Sequence, residues 1–189
     1  MDKSEKRFER DIESFLISPA GGYTQFCGQD ADGKWVHNRQ HDIGKCIYMD
    51  VLCEFIEKTQ PKEWARFENA NKIDTVRKFC VAFNNACDMS GLVSVLRHGF
   101  KHRGITFRVC YFKPESELNE LAVSNYNQNI CQCIRQWHYS EQNTNSVDMM
   151  LAINGIPVVA IELKNQLTGQ SVDDAKQQWQ YNRNSKEPA

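Results

Sequence analysis

The spacing of apolar residues predicts that helices dominate the first part of the chain. Apolar side chains recur at the three- and four-residue intervals of an amphipathic helix over residues 4–17, 46–58 and 72–88. Pro61 and Trp64 fall between the last two segments, where we expect a linker.

A two-residue alternation replaces this pattern farther along the chain. Residues 105–113 and 130–139 alternate between apolar and polar side chains, as strands do. Two more apolar runs, Met149–Ile153 and Val158–Ile161, flank Asn154-Gly155. An Asn-Gly pair between such runs is the strongest short-range signal for a β-hairpin.

The order of these elements predicts the fold class and the domain organisation. Helices followed by a run of strands indicate an α+β (α/β) fold, in which helices cover a sheet. We expect a single domain over residues 1–189, with a mainly helical part in residues 1–100. The sheet core, the hairpin and a following helix then occupy residues 101–189, and the capping box Ser171-x-x-Asp174 starts that helix.

Charged side chains stand only at the outer ends of the predicted hairpin. Asp148 precedes the first apolar run, and Glu162 and Lys164 follow the second. Two carboxylates can hold a divalent cation and leave positions open for a phosphate and a water, while an ammonium stabilises charge on the phosphoryl group. The three residues therefore suit metal-dependent phosphodiester hydrolysis. Solvated charges on a surface hairpin would give the same short pattern.

The register of the hairpin decides whether Asp148 and Glu162 can share a cation. A strict two-residue turn pairs Asp148 with Ile161, which puts the two carboxylates on opposite faces of the sheet. A shift of one residue reverses this arrangement. We therefore predict a bulge or a three-residue turn within residues 153–157.

Composition and short motifs exclude several classes of protein. The chain has 23 Lys and Arg, 24 Asp and Glu and a formal net charge of −1, which is unlike a strongly basic nucleic-acid binder. None of the eight cysteines forms a C-x-x-C pair, so we expect no zinc ribbon. Gly28–Lys34 lacks the Ser or Thr that a phosphate-binding loop needs at position 35. Without a signal peptide or a long apolar run, we expect reduced thiols, a cytoplasmic location and no membrane association.

The hairpin residues also carry a resemblance to a known family. Asp148 with Glu162-Leu163-Lys164 resembles the PD-(D/E)xK nuclease motif. The run Asn154–Asn165, followed by Gln177 and Tyr181 at Q-x-x-x-Y spacing, is similar to the N-terminal nuclease region of type I restriction enzyme R (motor) subunits. Further matches lie at Phe8-Glu9, Gly104–Pro114, Asn129 and Arg135-Gln136.

That resemblance implies a fold, an activity and partners. The fold would be a restriction-endonuclease-like mixed sheet flanked by helices, and the activity that of a type I site-specific deoxyribonuclease. Asp148 and Glu162 would bind Mg²⁺, Lys164 would orient water or stabilise the transition state, and Gln177 and Tyr181 would position DNA or support the site. Double-stranded DNA and the methylation and specificity subunits of a restriction-modification complex would be the partners. ATP would serve a motor region after residue 189, so we expect the chain to be part of a longer motor subunit.

Several assignments stay open from the residues alone. Glu9 belongs to a stripe of helical glutamates, which either form a solvated face or bring Glu9 to the metal site as an accessory residue. The basic run Arg97–Arg103 is either a solvated turn or a contact with the DNA backbone or the motor region. A free-standing nuclease for repair or defence and a catalytically silent interaction domain are the alternatives to a restriction subunit.

Overall fold

The computed structural model describes residues 3–33, 35–37, 39, 41–164 and 169–182. The helices are α1 (Lys3–Leu16), α2 (Met49–Thr59), α3 (Pro61–Asn71), α4 (Thr75–Ser90), α5 (Leu92–His98), α6 (Glu120–Asn127) and α7 (Val172–Gln177). The strands are β1 (Thr24–Gln25), β2 (Cys27–Gln29), β3 (Trp35–His37), β4 (Phe100–His102), β5 (Ile105–Phe107), β6 (Cys131–His138), β7 (Ser146–Ile153) and β8 (Ile156–Ile161). A 3₁₀ helix spans Ile43–Lys45, and a π-helix, Gln178–Asn182, follows α7 directly. The predicted α+β fold is confirmed.

A four-stranded sheet carries the hairpin. Its strand order is β1-β6-β7-β8, and β1 runs parallel to β6 through the pairs Thr24–Gln132 and Gln25–Cys133. Strands β2 and β3 form one separate antiparallel pair, and β4 and β5 form another.

The chain divides into two compact units. The first comprises Met1–Ile47, Cys131–Ala152 and Ile156–Ala189, and the second comprises Tyr48–Ile130 with Ile153–Gly155. The described part of the first unit holds the four-stranded sheet with α1 and α7, and the second holds α2–α6 with β4 and β5. The expectation of a single domain stays a prediction.

In the first unit, α1 packs against one face of the four-stranded sheet. Met149 of β7 and Cys133 of β6 are fully buried there, and α1 contributes Ile12 and Leu16 to the same contact. The α1-facing cluster comprises Ile12, Leu16, Tyr23, Cys133, Met149, Leu151, Ile161 and Leu163. Because apolar burial drives this contact, the cluster fixes which face of the hairpin points to α1.

In the second unit, edge-to-face aromatic contacts fill the core. The rings of Phe67, Phe79 and Phe107 meet at angles of 85–90° with centroids 5.1–5.8 Å apart. This geometry sets the positive edge of one ring against the negative face of the next. The three side chains are at most 1% exposed, so they hold α3, α4 and β5 together.

The linker expected between the second and third predicted helices is wrong, because α3 occupies that segment. Pro61 stands at the first position of α3, where a missing N–H removes no helical hydrogen bond. Trp64 is buried, with its ring centroid 5.3 Å from that of Phe79. The proline therefore begins a helix rather than interrupting one.

A helix that crosses a membrane needs about 20 consecutive, mostly apolar residues. Within the described ranges, no single helix is both long and apolar enough to do so. Helices α4 and α5 are long and apolar enough only when they are taken together, and the two helices meet at a bend of 111°.

Candidate active site

The hairpin that carries the candidate site closes through a two-residue turn. Strands β7 and β8 are separated by Asn154 (φ +51°) and Gly155 (φ +83°) alone, and positive φ at both positions is what a type I′ turn requires. Of the two predicted alternatives, a bulge or a three-residue turn, the three-residue turn is therefore wrong. The buried Asn154 amide donates to the Val109 carbonyl at 2.9 Å, and its oxygen accepts the Ile130 N–H at 2.8 Å. These bonds satisfy a polar side chain that would otherwise be costly to bury.

Side-chain packing places Asp148 on the side of the hairpin away from the α1-facing cluster. Met149 belongs to that cluster together with Ile161 and Leu163. Since neighbouring residues of an extended chain point to opposite sides, Asp148 and Glu162 lie on the other side together. Strict pairing from a two-residue turn would instead put Ile161 on the side of Asp148. The register that the packing indicates for β7 and β8 thus differs by one residue from strict pairing. A bulge produces an offset of this size.

Short contacts join Asp148 to the segment that holds Glu162 and Lys164. Oδ2 of Asp148 accepts a hydrogen bond from the main-chain N–H of Leu163 at 2.7 Å. Nζ of Lys164 lies 3.2 Å from Oε1 of Glu162, with side chains 15% and 7% exposed. Because both charges are largely out of water, their interaction is less screened than that of a surface pair.

Gln178, which the sequence did not predict as a site residue, contacts both members of this ion pair. Its Nε2 donates to Oε1 of Glu162 at 2.7 Å, and its Oε1 accepts from Nζ of Lys164 at 2.6 Å. This orientation of the amide is the chemically consistent one, since the amide nitrogen only donates and the carboxylate only accepts. Asp148, Glu162, Lys164 and Gln178 are called the hairpin cluster below.

The predicted Q-x-x-x-Y residues lie beside this cluster. Gln177 ends α7, and Tyr181, which is 79% exposed, belongs to the π-helix. Both residues line a cavity of about 280 Å³, together with Lys164 and Gln178. The glutamine that reaches Glu162 and Lys164 is nevertheless Gln178. A change to i→i+5 hydrogen bonding alters which side chains share a face, and such turns often occur at functional sites.

A capping box fixes the start of α7, as predicted. The hydroxyl of Ser171 accepts from the Asp173 N–H at 3.2 Å, while the Ser171 N–H and hydroxyl donate to Oδ2 of Asp174 at 2.6 and 3.0 Å. These hydrogen bonds lower the pKa of the Asp174 carboxyl. Helix α7, which leads directly into the π-helix that contains Gln178, therefore has a defined first turn.

Glu9 and Glu13 are buried, so the solvated face considered for the α1 glutamates is wrong for these two residues. Glu9 is 0% exposed and accepts from Nε and Nη2 of Arg135 at 3.1 and 2.6 Å. Glu13 accepts from Nη1 of Arg135 at 3.2 Å. The guanidinium also lies 4.3 Å from the ring centroid of Trp35. Glu9, Glu13 and Arg135 are called the buried ion cluster below, and an accessory role of Glu9 at a metal stays a prediction.

The donor set of the hairpin cluster fits magnesium, the cofactor that the resemblance implies. Mg²⁺ is usually held by one or two carboxylates, with waters and substrate phosphates in the other positions. Asp148 and Glu162 supply two carboxylates on one side of the hairpin, and the Leu163 carbonyl lies next to Glu162 in the chain. In the described part of the chain, no group of three or more His, Cys, Asp or Glu side chains could hold an ion.

Fold and site together define an α+β protein with a carboxylate and lysine cluster at the open end of a hairpin. Residues 56–189 match the model of the family described as type I restriction enzyme R protein N terminus. The match covers well over half of the 189 residues, so the chain belongs to this family and the resemblance seen in the sequence is confirmed. No curated protein and no solved structure matches the chain.

Proposed function

We propose that this chain is the metal-dependent endonuclease region of a type I restriction enzyme R subunit and that it hydrolyses phosphodiester bonds in double-stranded DNA. The observation that supports this most directly is the hairpin cluster. Glu162, Lys164 and Gln178 contact one another beside a cavity, and Asp148 bonds to the main chain of Leu163 between Glu162 and Lys164. Family membership supplies the context. Methylation and specificity subunits and an ATP-driven motor region of the same enzyme are the proposed partners.

Asp148 and Glu162 would hold Mg²⁺ in this proposal. Such an ion would supply Lewis acidity for the scissile phosphate and for the attacking water. The Leu163 N–H orients the Asp148 carboxylate through its 2.7 Å hydrogen bond. Gln178 orients the Glu162 carboxylate in the same way at 2.7 Å. Ligands held by such hydrogen bonds need little rearrangement when substrate arrives.

Lys164 would stabilise the charge that develops on the phosphoryl group or orient the attacking water. An ammonium has three N–H donors, and two of them are used by Glu162 and Gln178. Lys164 also lines the cavity, where its third donor would meet a phosphate oxygen or a water. Gln177 and Tyr181, exposed at the same cavity, would contact DNA.

Replacing Lys164 in the intact restriction complex tests this proposal. We expect Lys164→Ala to slow DNA cutting by roughly 10²–10³-fold, because a donor aimed at transition-state charge is lost. ATP-driven translocation should be retained, since Lys164 acts on the scissile phosphate alone. Asp148→Ala and Glu162→Ala should behave in the same way.

Lys176→Ala is the matched control for this experiment. Lys176 lies on α7, and its side chain is 64% exposed in an ion pair with Asp173. Its loss should leave cutting unchanged. Normal cutting by Lys164→Ala would contradict the proposed role of this residue, and normal cutting by all three cluster variants would contradict the nuclease proposal.

A further inference from the structure

The basic residues of the chain are not evenly distributed. Across the chain, 23 basic and 24 acidic residues nearly cancel. Residues 89–114, however, contain five Lys or Arg and no Asp or Glu. A segment whose charged residues are all basic produces a local positive potential, even in a protein whose total charge is close to zero.

The fold brings four of these cations onto neighbouring positions of α5 and the β4–β5 hairpin. In the hairpin, Phe100 pairs with Phe107 and both are buried, while Lys101 pairs with Thr106 and both are exposed. Arg108 lies two residues beyond Thr106 and is exposed as well. Since strand residues alternate between faces, the cations share the outer face.

The other two cations border this face. Arg103 (φ +47°) is exposed in the turn between β4 and β5. Arg97 is exposed in the last turn of α5, and its carbonyl accepts from Nη1 of Arg108 at 3.2 Å. Arg97, Lys101, Arg103 and Arg108 are called the basic surface below.

No carboxylate in the described part of the chain pairs with the basic surface, whereas some other exposed cations do have partners. Arg77 pairs with Asp74 and Lys176 with Asp173, although both of these pairs are exposed. Uncompensated like charges repel one another, and an anionic ligand would relieve that repulsion.

We propose that the basic surface binds the phosphate backbone of duplex DNA, outside the residues that cut it. The exposed residue paired with Lys101 is Thr106, whose hydroxyl also donates well to phosphate. A protein interface would be expected to have an apolar or aromatic centre, and the outer face of the hairpin is instead formed by Lys101, Thr106 and Arg108. Such backbone contacts hold DNA without reading its sequence. The inference deepens the proposed function and rests on it.

The salt dependence of DNA binding tests this inference. The variant is Arg97→Gln/Lys101→Gln/Arg103→Asn, in which Asn is used because it tolerates positive φ. Binding of the unmodified protein and of each variant to a labelled duplex of arbitrary sequence is measured by fluorescence anisotropy. The buffer contains EDTA, and the KCl concentration is varied. Each lost phosphate contact lowers the magnitude of the negative slope of log K against log[KCl] by about 0.9, so this magnitude should fall by up to about 2.7. Lys101→Gln alone should lower it by about 0.9.

The control Lys58→Gln/Lys62→Gln/Arg66→Gln removes the same charge from exposed positions of α2 and α3. Its slope should equal that of the unmodified protein, and thermal melting should show that all variants fold. An unchanged slope in the basic-surface variants, or an equal loss in the control, would overturn the inference. Loss of another subunit from the complex without any change in slope would also overturn it, since the surface would then bind protein.

Asp148→Ala separates this inference from the proposed function. That variant should keep the full slope while it loses cutting. If Asp148→Ala, Glu162→Ala and Lys164→Ala all cut normally but the basic-surface variants still lose slope, the nuclease proposal fails and the DNA contact stands. If Asp148→Ala loses cutting while the basic-surface variants keep the full slope, the inference fails and the nuclease proposal stands.

Discussion

Two charged clusters of the same compact unit have similar chemistry and different surroundings. The buried ion cluster joins Arg135 to Glu9 and Glu13, and the hairpin cluster joins Lys164 to Glu162. In the first, Gln136 and Gln25 reach the remaining carboxylate oxygens at 3.4 and 3.3 Å, and Trp35 covers the guanidinium. In the second, Lys164 lines a cavity of about 280 Å³.

The comparison of the two clusters indicates that an ion pair by itself does not identify a reactive site. Each carboxylate oxygen of the buried ion cluster already accepts a hydrogen bond, so the main effect of this cluster is expected on folding. A cluster that borders a cavity keeps a donor for a ligand. We therefore expect substitutions in the buried ion cluster to change stability and substitutions in the hairpin cluster to change rate.

The largest expected effect is on stability and comes from Arg135→Met. Removing the guanidinium leaves Glu9 and Glu13 buried without their counter-charge, and breaking a buried ion pair in this way typically costs about 3–5 kcal/mol. Urea unfolding followed by circular dichroism measures the loss. Arg77→Met is the control, because its pair with Asp74 is exposed and should contribute less than about 1 kcal/mol. Equal losses in the two variants would show that the buried cluster is not structural.

The next effect is on rate and rests on the proposed function. Gln178→Ala removes the amide that orients both Glu162 and Lys164. Loss of a group that orients a metal ligand typically costs about 10–100-fold in activity or metal affinity. We expect slower cutting in the intact complex and a Mg²⁺ dependence shifted to higher concentration, with unchanged ATP-driven translocation and unchanged unfolding.

Gln180→Ala provides the matched control for Gln178→Ala. Gln180 is an exposed glutamine in the same π-helix, and its loss should leave the Mg²⁺ dependence unaltered. Gln178→Glu keeps an acceptor for Lys164 but loses the donor to Glu162, so it should not restore the Mg²⁺ dependence. If Gln178→Ala has normal kinetics and Gln177→Ala does not, the Q-x-x-x-Y residue rather than its neighbour supports the site.

The sequence predicts local features of this protein better than distant ones. The hairpin follows from Asn154-Gly155, because few residues other than Asn and Gly adopt the positive φ values of that turn. Helix α6 buries none of its residues, so it has no periodic apolar face from which to predict it. Arg135 and Glu9 lie far apart in the chain, and no local pattern indicates that they meet.

Contacts between distant residues are also hard to predict inside the candidate site, where either Gln177 or Gln178 could reach Glu162 and Lys164. Spacing alone selects Gln177, since it stands four residues before Tyr181 and an α-helix would put both on one face. The helix changes to i→i+5 bonding at Gln178, and it is Gln178 that contacts Glu162 and Lys164. The residue types of the candidate site can thus be proposed from the sequence, while the glutamine that contacts Glu162 and Lys164 cannot.

The smallest expected effect concerns β3, the strand that supplies Trp35 to the buried ion cluster. His37 of β3 stacks on His41, which stacks on Trp137, with ring centroids 5.1 and 5.4 Å apart. Burial, with a smaller contribution from the charge of His41, lowers the pKa of His37 to about 4 from 6.5. The charge of His138 opposes protonation of both histidines. A main-chain hydrogen bond to Gln136 favours protonation of His37, and a main-chain hydrogen bond to His138 and the charge of Asp42 favour that of His41.

The sign of the pH effect follows from this lowered pKa. Above pH 6.5, His37 is neutral in the folded and unfolded states and does not make stability depend on pH. As pH falls from 6.5 towards 4, the unfolded chain binds the proton first, so the folded state loses stability. His37→Phe keeps a ring for the stack and removes the titrating group. We expect urea unfolding to show a smaller loss of stability over this pH range in His37→Phe than in the unmodified protein. Equal losses would mean that other groups cause the acid sensitivity and that His37 does not couple protonation to the packing of β3.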